Sequence, residues 1–185
     1  MVVDKNTLLA ELEEMTNAHI QYAKSLQEVS DEKLQWRSSK KSWSILECLE
    51  HLNRYALFYN MEIRKRITAA KDVKEKRFIS GCLGNRFAVD MLPKEKMKKI
   101  RTFKSKNPIN AGIHKTEVLS NFIALQEELL VLLILAKEKD ITAIKTNITL
   151  PFIKFRLGDT FRFVIYHNER HITQAKGILY KKSSQ

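Results

Sequence analysis

Glycine and proline are scarce in these 185 residues, at five and three respectively. A sandwich or barrel of short strands needs many tight turns, and this chain has few of the residues that make them. Long helices joined by few loops fit better. Cysteine is scarcer still. Cys48 and Cys82 are the only two, too few for a disulfide framework, and in a reducing compartment both are expected as free thiols. Long hydrophobic runs are also missing. The longest, Leu129 to Ala136, has eight residues, whereas a hydrocarbon core asks for about 20. The start, MVVDKNTLLAELEEM, turns acidic and amphipathic at once, unlike the basic start and apolar core of a signal peptide. A cytosolic chain with no membrane partner is expected.

What is present is an ordinary globular balance, 44% hydrophobic and 29% charged, with a length that suits one domain over 1–185. Net charge is +12, unevenly spread. Twelve basic residues between Lys71 and Lys106 face only Asp72, Glu75, Asp90 and Glu95. No zinc-finger, helix-turn-helix or RNA-binding signature accompanies that charge, so a solvated surface connection is expected there and a nucleic-acid partner is not.

Four amphipathic helices can be read. The first begins near Asp4 or Asn6 and runs to about Val29, with Leu8, Leu12, Met15, His19, Tyr22 and Leu26 on one face. Ser30-Asp31 breaks it. The second opens on Ser44-Ile45-Leu46-Glu47, a capping box with Trp43 as its staple, and ends in a basic tail from Arg64 to Lys71. Residues 72–115 carry no clear pattern beyond short turns near 93–100. The third helix runs from about Thr116 to Lys139 and is apolar nearly all round in its second half. Residues 141–157 read as extended, a short hairpin, before Gly158 and a capping Asp159 open a fourth helix to about Leu179. The expected fold is all-α, a four-helix bundle with a long connection between the second and third helices.

The fourth helix carries an anomaly. Its inward seam reads Val164, His167, His171, Gln174, Ile178, spaced three, four, three, four. Two imidazoles thus stand one turn apart where a bundle normally places Leu or Ile. Such a pair can reach a common ion. A third imidazole, His51, flanks the apolar stripe of the second helix and joins them if these two faces meet. Burying three unpaired imidazoles is costly, and a shared cation satisfies their acceptor nitrogens together. Each remaining ring N–H then needs an acceptor. Glu47 for His51 and Gln174 for His171 lie within one turn. His19, Cys48 and Tyr55 are further pocket candidates, with His19 and Cys48 read chiefly as core residues. His114 receives no role.

Trp43-Ser44, Glu47 and His51-Leu52 together resemble the WS-x2-E-x3-HL signature of the DinB-like (DinB/YfiT-like) superfamily of small bacterial bundle proteins. The HNERHITQ run from His167 to Gln174 resembles that group's closing H-x2-RH-x2-Q pattern, and Trp36 also fits. The resemblance implies an up-down-down-up bundle, usually a homodimer. It also implies a three-histidine site for nickel or zinc on His51, His167 and His171, with open coordination positions. Some relatives are thiol-dependent isomerases and S-transferases that act with low-molecular-weight thiols. Two functions from different classes follow. One is a metal-dependent enzyme, either an S-transferase or a hydrolase, for which Glu47 is the available base. The other is a non-catalytic stress-response or binding protein whose metal site is structural or vestigial. Three imidazoles alone do not choose among zinc, nickel, copper and iron.

Overall fold

The structure, a computed structural model, describes residues 1–94, 102–109 and 111–183. A three-residue strand, β1 (Val2–Asp4), ends on the residue that starts the first helix, α1 (Lys5–Ser25). The Asp4 carboxylate accepts from the Thr7 amide at 2.8 Å, satisfying one of the donors that a helix start leaves open. A 3-10 turn over Leu26–Glu28 carries α1 on toward the expected end. The break expected at Ser30-Asp31 is followed at once by a short helix, α2 (Asp31–Gln35). Helix α3 (Ile45–Ala69) has both halves of its capping box. The Glu47 amide donates to Ser44 Oγ, and the Ser44 amide donates to the Glu47 carboxylate at 2.8 Å.

The connection after α3 holds more structure than its sequence pattern suggests. Strand β2 (Arg77–Ile79) pairs antiparallel with β1, and α4 (Cys82–Met91) follows. Helix α4 rests on the next helix but one through Gly84 and Ala88. A helix that buries its smallest side chains shows little apolar periodicity, so the reading of 72–115 missed it. The turns expected over 93–100 lie, beyond Lys94, outside the described residues.

Helix α5 (Lys115–Ala136) comes next, then β3 (Lys145–Asn147) and β4 (Lys154–Arg156), which form the expected hairpin. By length and composition α5 as a whole is apolar enough to cross a membrane, although its longest unbroken apolar run is short. Its Leu129, Leu132 and Leu133 are buried in the bundle, as in the core helix of a bundle. The last helix, α6 (Leu157–Ser183), begins two residues before Asp159. Asp159 is therefore not the cap expected from sequence. It lies inside the first turn, and its carboxylate accepts from Ser80 Oγ and from the Gly81 amide at 2.7 Å. That contact fastens the start of α4 to the start of α6.

The described chain is mostly helical, a helical bundle with two small two-stranded sheets. Helices α1 and α3 each pack against both α5 and α6. Apolar side chains collect into two clusters. One surrounds Leu12, Ile63, Leu132 and Phe161, and the other surrounds Leu34, Leu46, Leu49 and Phe122. Between them runs a band of buried polar groups: Thr16 and His19 on α1, His51 and Asn53 on α3, Gln126 on α5, His167 and Asn168 on α6. Polar groups in such a place must be partnered. Asn168 donates to Gln126 Oε1 at 2.9 Å, and Asn53 donates to the Val118 carbonyl at 3.1 Å. The three histidines singled out in the sequence belong to this band or border it.

Candidate metal centre

His51 sits two turns into α3, and its Nδ1 lies 2.7 Å from the Lys106 carbonyl. A carbonyl only accepts, so the ring proton is on Nδ1 and the Nε2 lone pair is left free. That lone pair faces His167 Nε2 on α6, 3.3 Å away. His171, one turn further along α6, directs its Nδ1 at Gln174 Oε1, 3.0 Å away. The amide oxygen accepts that ring proton as well, and His171 is likewise left with a free Nε2. The three imidazoles offer one nitrogen each, all within 4.8 Å of one another.

Aromatic rings wall the cluster. Trp43 lies 4.6 Å from His51 and 5.5 Å from His171 between ring centres. Tyr55 is 4.9 Å from both His51 and His167, and Phe163 stacks on His167 at 6.0 Å. This wall removes water. Burial lowers His51 to about 4, with the Arg54 and Lys106 charges adding to the effect and the bond to the Lys106 carbonyl opposing it. Burial lowers His171 to about 3 and holds His167 well below 6.5, with its histidine neighbours pushing the same way. At neutral pH the cluster is therefore three uncharged imidazoles that bring one nitrogen each within 4.8 Å of the others. Three neutral, converging imidazoles are a donor set that fits a divalent metal cation.

A pH dependence follows for the metal-free protein. These groups titrate near 6.5 in the unfolded chain and far lower in the fold, so the unfolded chain takes up protons first as pH falls. The contribution is fully present above about pH 6.5 and declines from there toward pH 4. The melting temperature of chelator-stripped protein should hold steady above pH 7 and fall between pH 6.5 and 5. A flat profile over that range would contradict buried, neutral histidines.

The other residues singled out in the sequence divide clearly. Gln174 and Tyr55 line the same cavity as the triad. Burial raises the Tyr55 phenol above its usual range. Glu47 does not line it. Its carboxylate is engaged by the Ser44 amide and by Arg37 Nε at 2.8 Å, and it faces a separate cleft with Gln35 and Gly112. The acceptor expected from Glu47 is supplied to His51 by Lys106 instead. His19 is buried against Glu169, with Nε2 2.9 Å from that carboxylate, and is not among the cavity's lining residues. Cys48 is fully enclosed in the second apolar cluster, where burial pushes its thiol far above the reactive range.

Sequence reasoning missed Lys106, because its contribution is a backbone carbonyl that any residue type carries. It also missed Phe163 and Tyr59 as cavity walls, since aromatic residues at helical spacing read as core, and Phe87, which lies in the stretch where no helix is read from sequence. The acceptor on His171 can be tested alone. Gln174→Leu should weaken metal binding about 10- to 100-fold while leaving the stoichiometry unchanged in a chelator competition. Unchanged affinity would mean that Gln174 does not hold the ring.

The family model described as the DinB superfamily matches residues 7–175. No curated protein and no solved structure matches the chain.

Proposed function

The chain belongs to the DinB superfamily, and on that premise we propose that it is a metal-dependent enzyme holding one divalent ion, nickel or zinc, on His51, His167 and His171. The reaction we assign is S-transfer with a low-molecular-weight thiol. One observation favours this over hydrolysis: no carboxylate is among the described residues that line the cavity. A hydrolase commonly uses such a group as base for its water, whereas a thiol, with a pKa near 8.5, needs only a nearby cation to ionise at neutral pH. When bound, the ion supplies that Lewis acidity.

The protein's own groups do the rest. The Lys106 carbonyl and Gln174 fix the tautomers of His51 and His171, which keeps their lone pairs on the ion. Trp43, Tyr55 and Phe163 exclude water, which strengthens every charge interaction inside. A structural ion closes its coordination with protein ligands. Here the triad opens onto a cavity of about 530 Å³, which favours catalysis over a structural or vestigial site.

Side-chain pairings support an up-down-down-up order for the single domain. Asn53 reaches Val118 and Asn60 reaches Leu125, so α3 and α5 run in the same direction. His51 meets His167 while Tyr59 meets Phe163, so α3 and α6 run opposed. Lys5 reaches Lys137 and Lys115 reaches Gln27, so α1 and α5 are opposed as well. A cytosolic homodimer is the assembly we assign. It would join through the side of α5 where Val131, Ile134 and Leu135 stand exposed.

The test is a panel of small thiols against a halogenated aryl electrophile. Thioether formation should disappear on chelation and return with one equivalent of nickel or zinc. Metal-dependent ester cleavage that proceeds equally well without thiol would overturn S-transfer in favour of hydrolysis.

A further inference from the structure

The acceptor that fixes His51 is a backbone carbonyl, and no substitution at Lys106 removes a carbonyl. Whatever holds that piece of backbone in place therefore governs the ring. The carbonyl ends a 3-10 turn over Lys104–Lys106. Such short turns have poor hydrogen-bond geometry of their own, so contacts outside the turn must hold it. Lys106 supplies one, since its ammonium donates to the Arg54 carbonyl on α3. The next residue supplies more. The Asn107 carbonyl accepts from Arg54 Nη1 at 3.0 Å, and Arg54 is itself set by its Nε bond to Glu50, 2.7 Å away and one turn back on α3.

The Asn107 side chain is engaged as well. Its Oδ1 accepts from the Trp43 indole N–H at 3.1 Å and from the Ile109 amide at 3.2 Å. Both partners are donors only, so the amide oxygen and not the NH2 group faces them. The Ile109 bond closes an Asx turn, which a short polar side chain makes with the amide two residues on. The Trp43 bond reaches further, because that indole lies against both His51 and His171.

We propose that Asn107 is a positioning residue for the triad. Through its backbone, held by Arg54, it sets where the Lys106 carbonyl stands against His51 Nδ1. Through its side chain it sets the indole that walls His51 and His171. The proposal deepens the metal reading, and its effect on metal affinity rests on that reading. Its effect on the His51 ring does not. If Asn107 only closed its own turn, its loss would leave a ring on α3 unchanged.

Asn107→Leu keeps roughly the size of the side chain and loses the acceptor, whereas Asn107→Asp keeps an acceptor oxygen. The ring proton is read by nitrogen NMR of chelator-stripped protein carrying isotope-labelled histidine, near neutral pH, with single His→Ala variants assigning the signals. His51 should be the Nδ1–H tautomer in the parent and a mixture of tautomers in Asn107→Leu. His171, held by Gln174, should stay as it is. Nickel affinity from chelator competition should fall about tenfold in Asn107→Leu. In a Trp36→Phe background the emission of Trp43 should change too. Asn107→Asp should restore all three.

Should the leucine variant lose helical content, Arg54→Gln, at a partly exposed position, tests the backbone route alone. It should mix the His51 tautomers and leave Trp43 emission as it was, and an unchanged His51 there would count against the proposal. A folded Asn107→Leu with His51 wholly in the Nδ1–H form would overturn it, as would a loss of affinity that Asn107→Asp does not repair. Failure of the metal reading has a separate signature. If the parent binds no nickel while Asn107→Leu still mixes the His51 tautomers, the metal centre falls and the positioning role stands.

Discussion

His167→Ala should purify with less than about a tenth of the metal carried by the parent chain, and its affinity for an added divalent ion should fall on the order of 100-fold or more. Losing only the acceptor behind a ligand costs about 10- to 100-fold, and losing the ligand itself must cost more. His167 is one corner of a near-even triangle whose other two rings, those of His51 and His171, lie 4.7 Å apart between centres. Its ring is 5.1 Å from that of His51 and 4.7 Å from that of His171, and its Nε2 is the one facing His51. His51→Ala and His171→Ala should lower metal content in the same direction. His114→Ala, at an exposed position outside the cluster, should leave it unchanged. Elemental analysis of the four proteins, each checked for helical content, decides the matter. Full metal content in His167→Ala would remove the triad as the binding site.

The largest effect on stability should come from Asp159→Ala, at a position whose side chain has no exposure at all. Its carboxylate holds the Ser80 hydroxyl, the Gly81 amide and the Arg162 guanidinium, the last at 3.2 Å. Arg162 is itself only 4% exposed. Removing the acid leaves a buried cation whose remaining described partners, Asn85, Ser80 and the face of Tyr166, are all uncharged. Breaking one side of a buried pair typically costs about 3–5 kcal/mol. For a chain of this size that lowers the melting temperature on the order of 10 °C. The space is equally constrained, since a Cβ on Gly84 would stand 2.7 Å from the Asp159 side chain. Urea denaturation of Asp159→Ala beside Asp159→Asn, which keeps one acceptor, measures the charge separately from the hydrogen bonds. A loss under about 1 kcal/mol in both would show that α4 is held by something else.

These two positions illustrate what the sequence made legible. His167 and His171 stood out because a polar ring at a core position breaks a periodic pattern, and a broken period is visible in one dimension. The capping box at Ser44 and Glu47 was legible for a similar reason, as its geometry is local. Asp159 was read as a cap because acids before an apolar run usually are caps. Its actual partners, Ser80 and Gly81, are on a segment whose helix hides its packing face behind Gly84 and Ala88. The pairing of β1 with β2 joins residues more than 70 positions apart and leaves no local trace. The Lys106 carbonyl leaves none at all.

The placement of the ligands also sets the order in which the site can be built. His51 emerges early from the ribosome, whereas His167 and His171 belong to the final helix. During most of translation the chain holds only one of the three cluster imidazoles, and one imidazole holds no divalent metal against cellular competitors. The cluster exists only after α6 has docked on α3, with Lys106 and Gln174 already orienting two of its rings. Any metal selection would therefore fall to a finished protein, through its cavity mouth. On the proposed metal reading, a chain made in metal-poor medium would still be open to loading later.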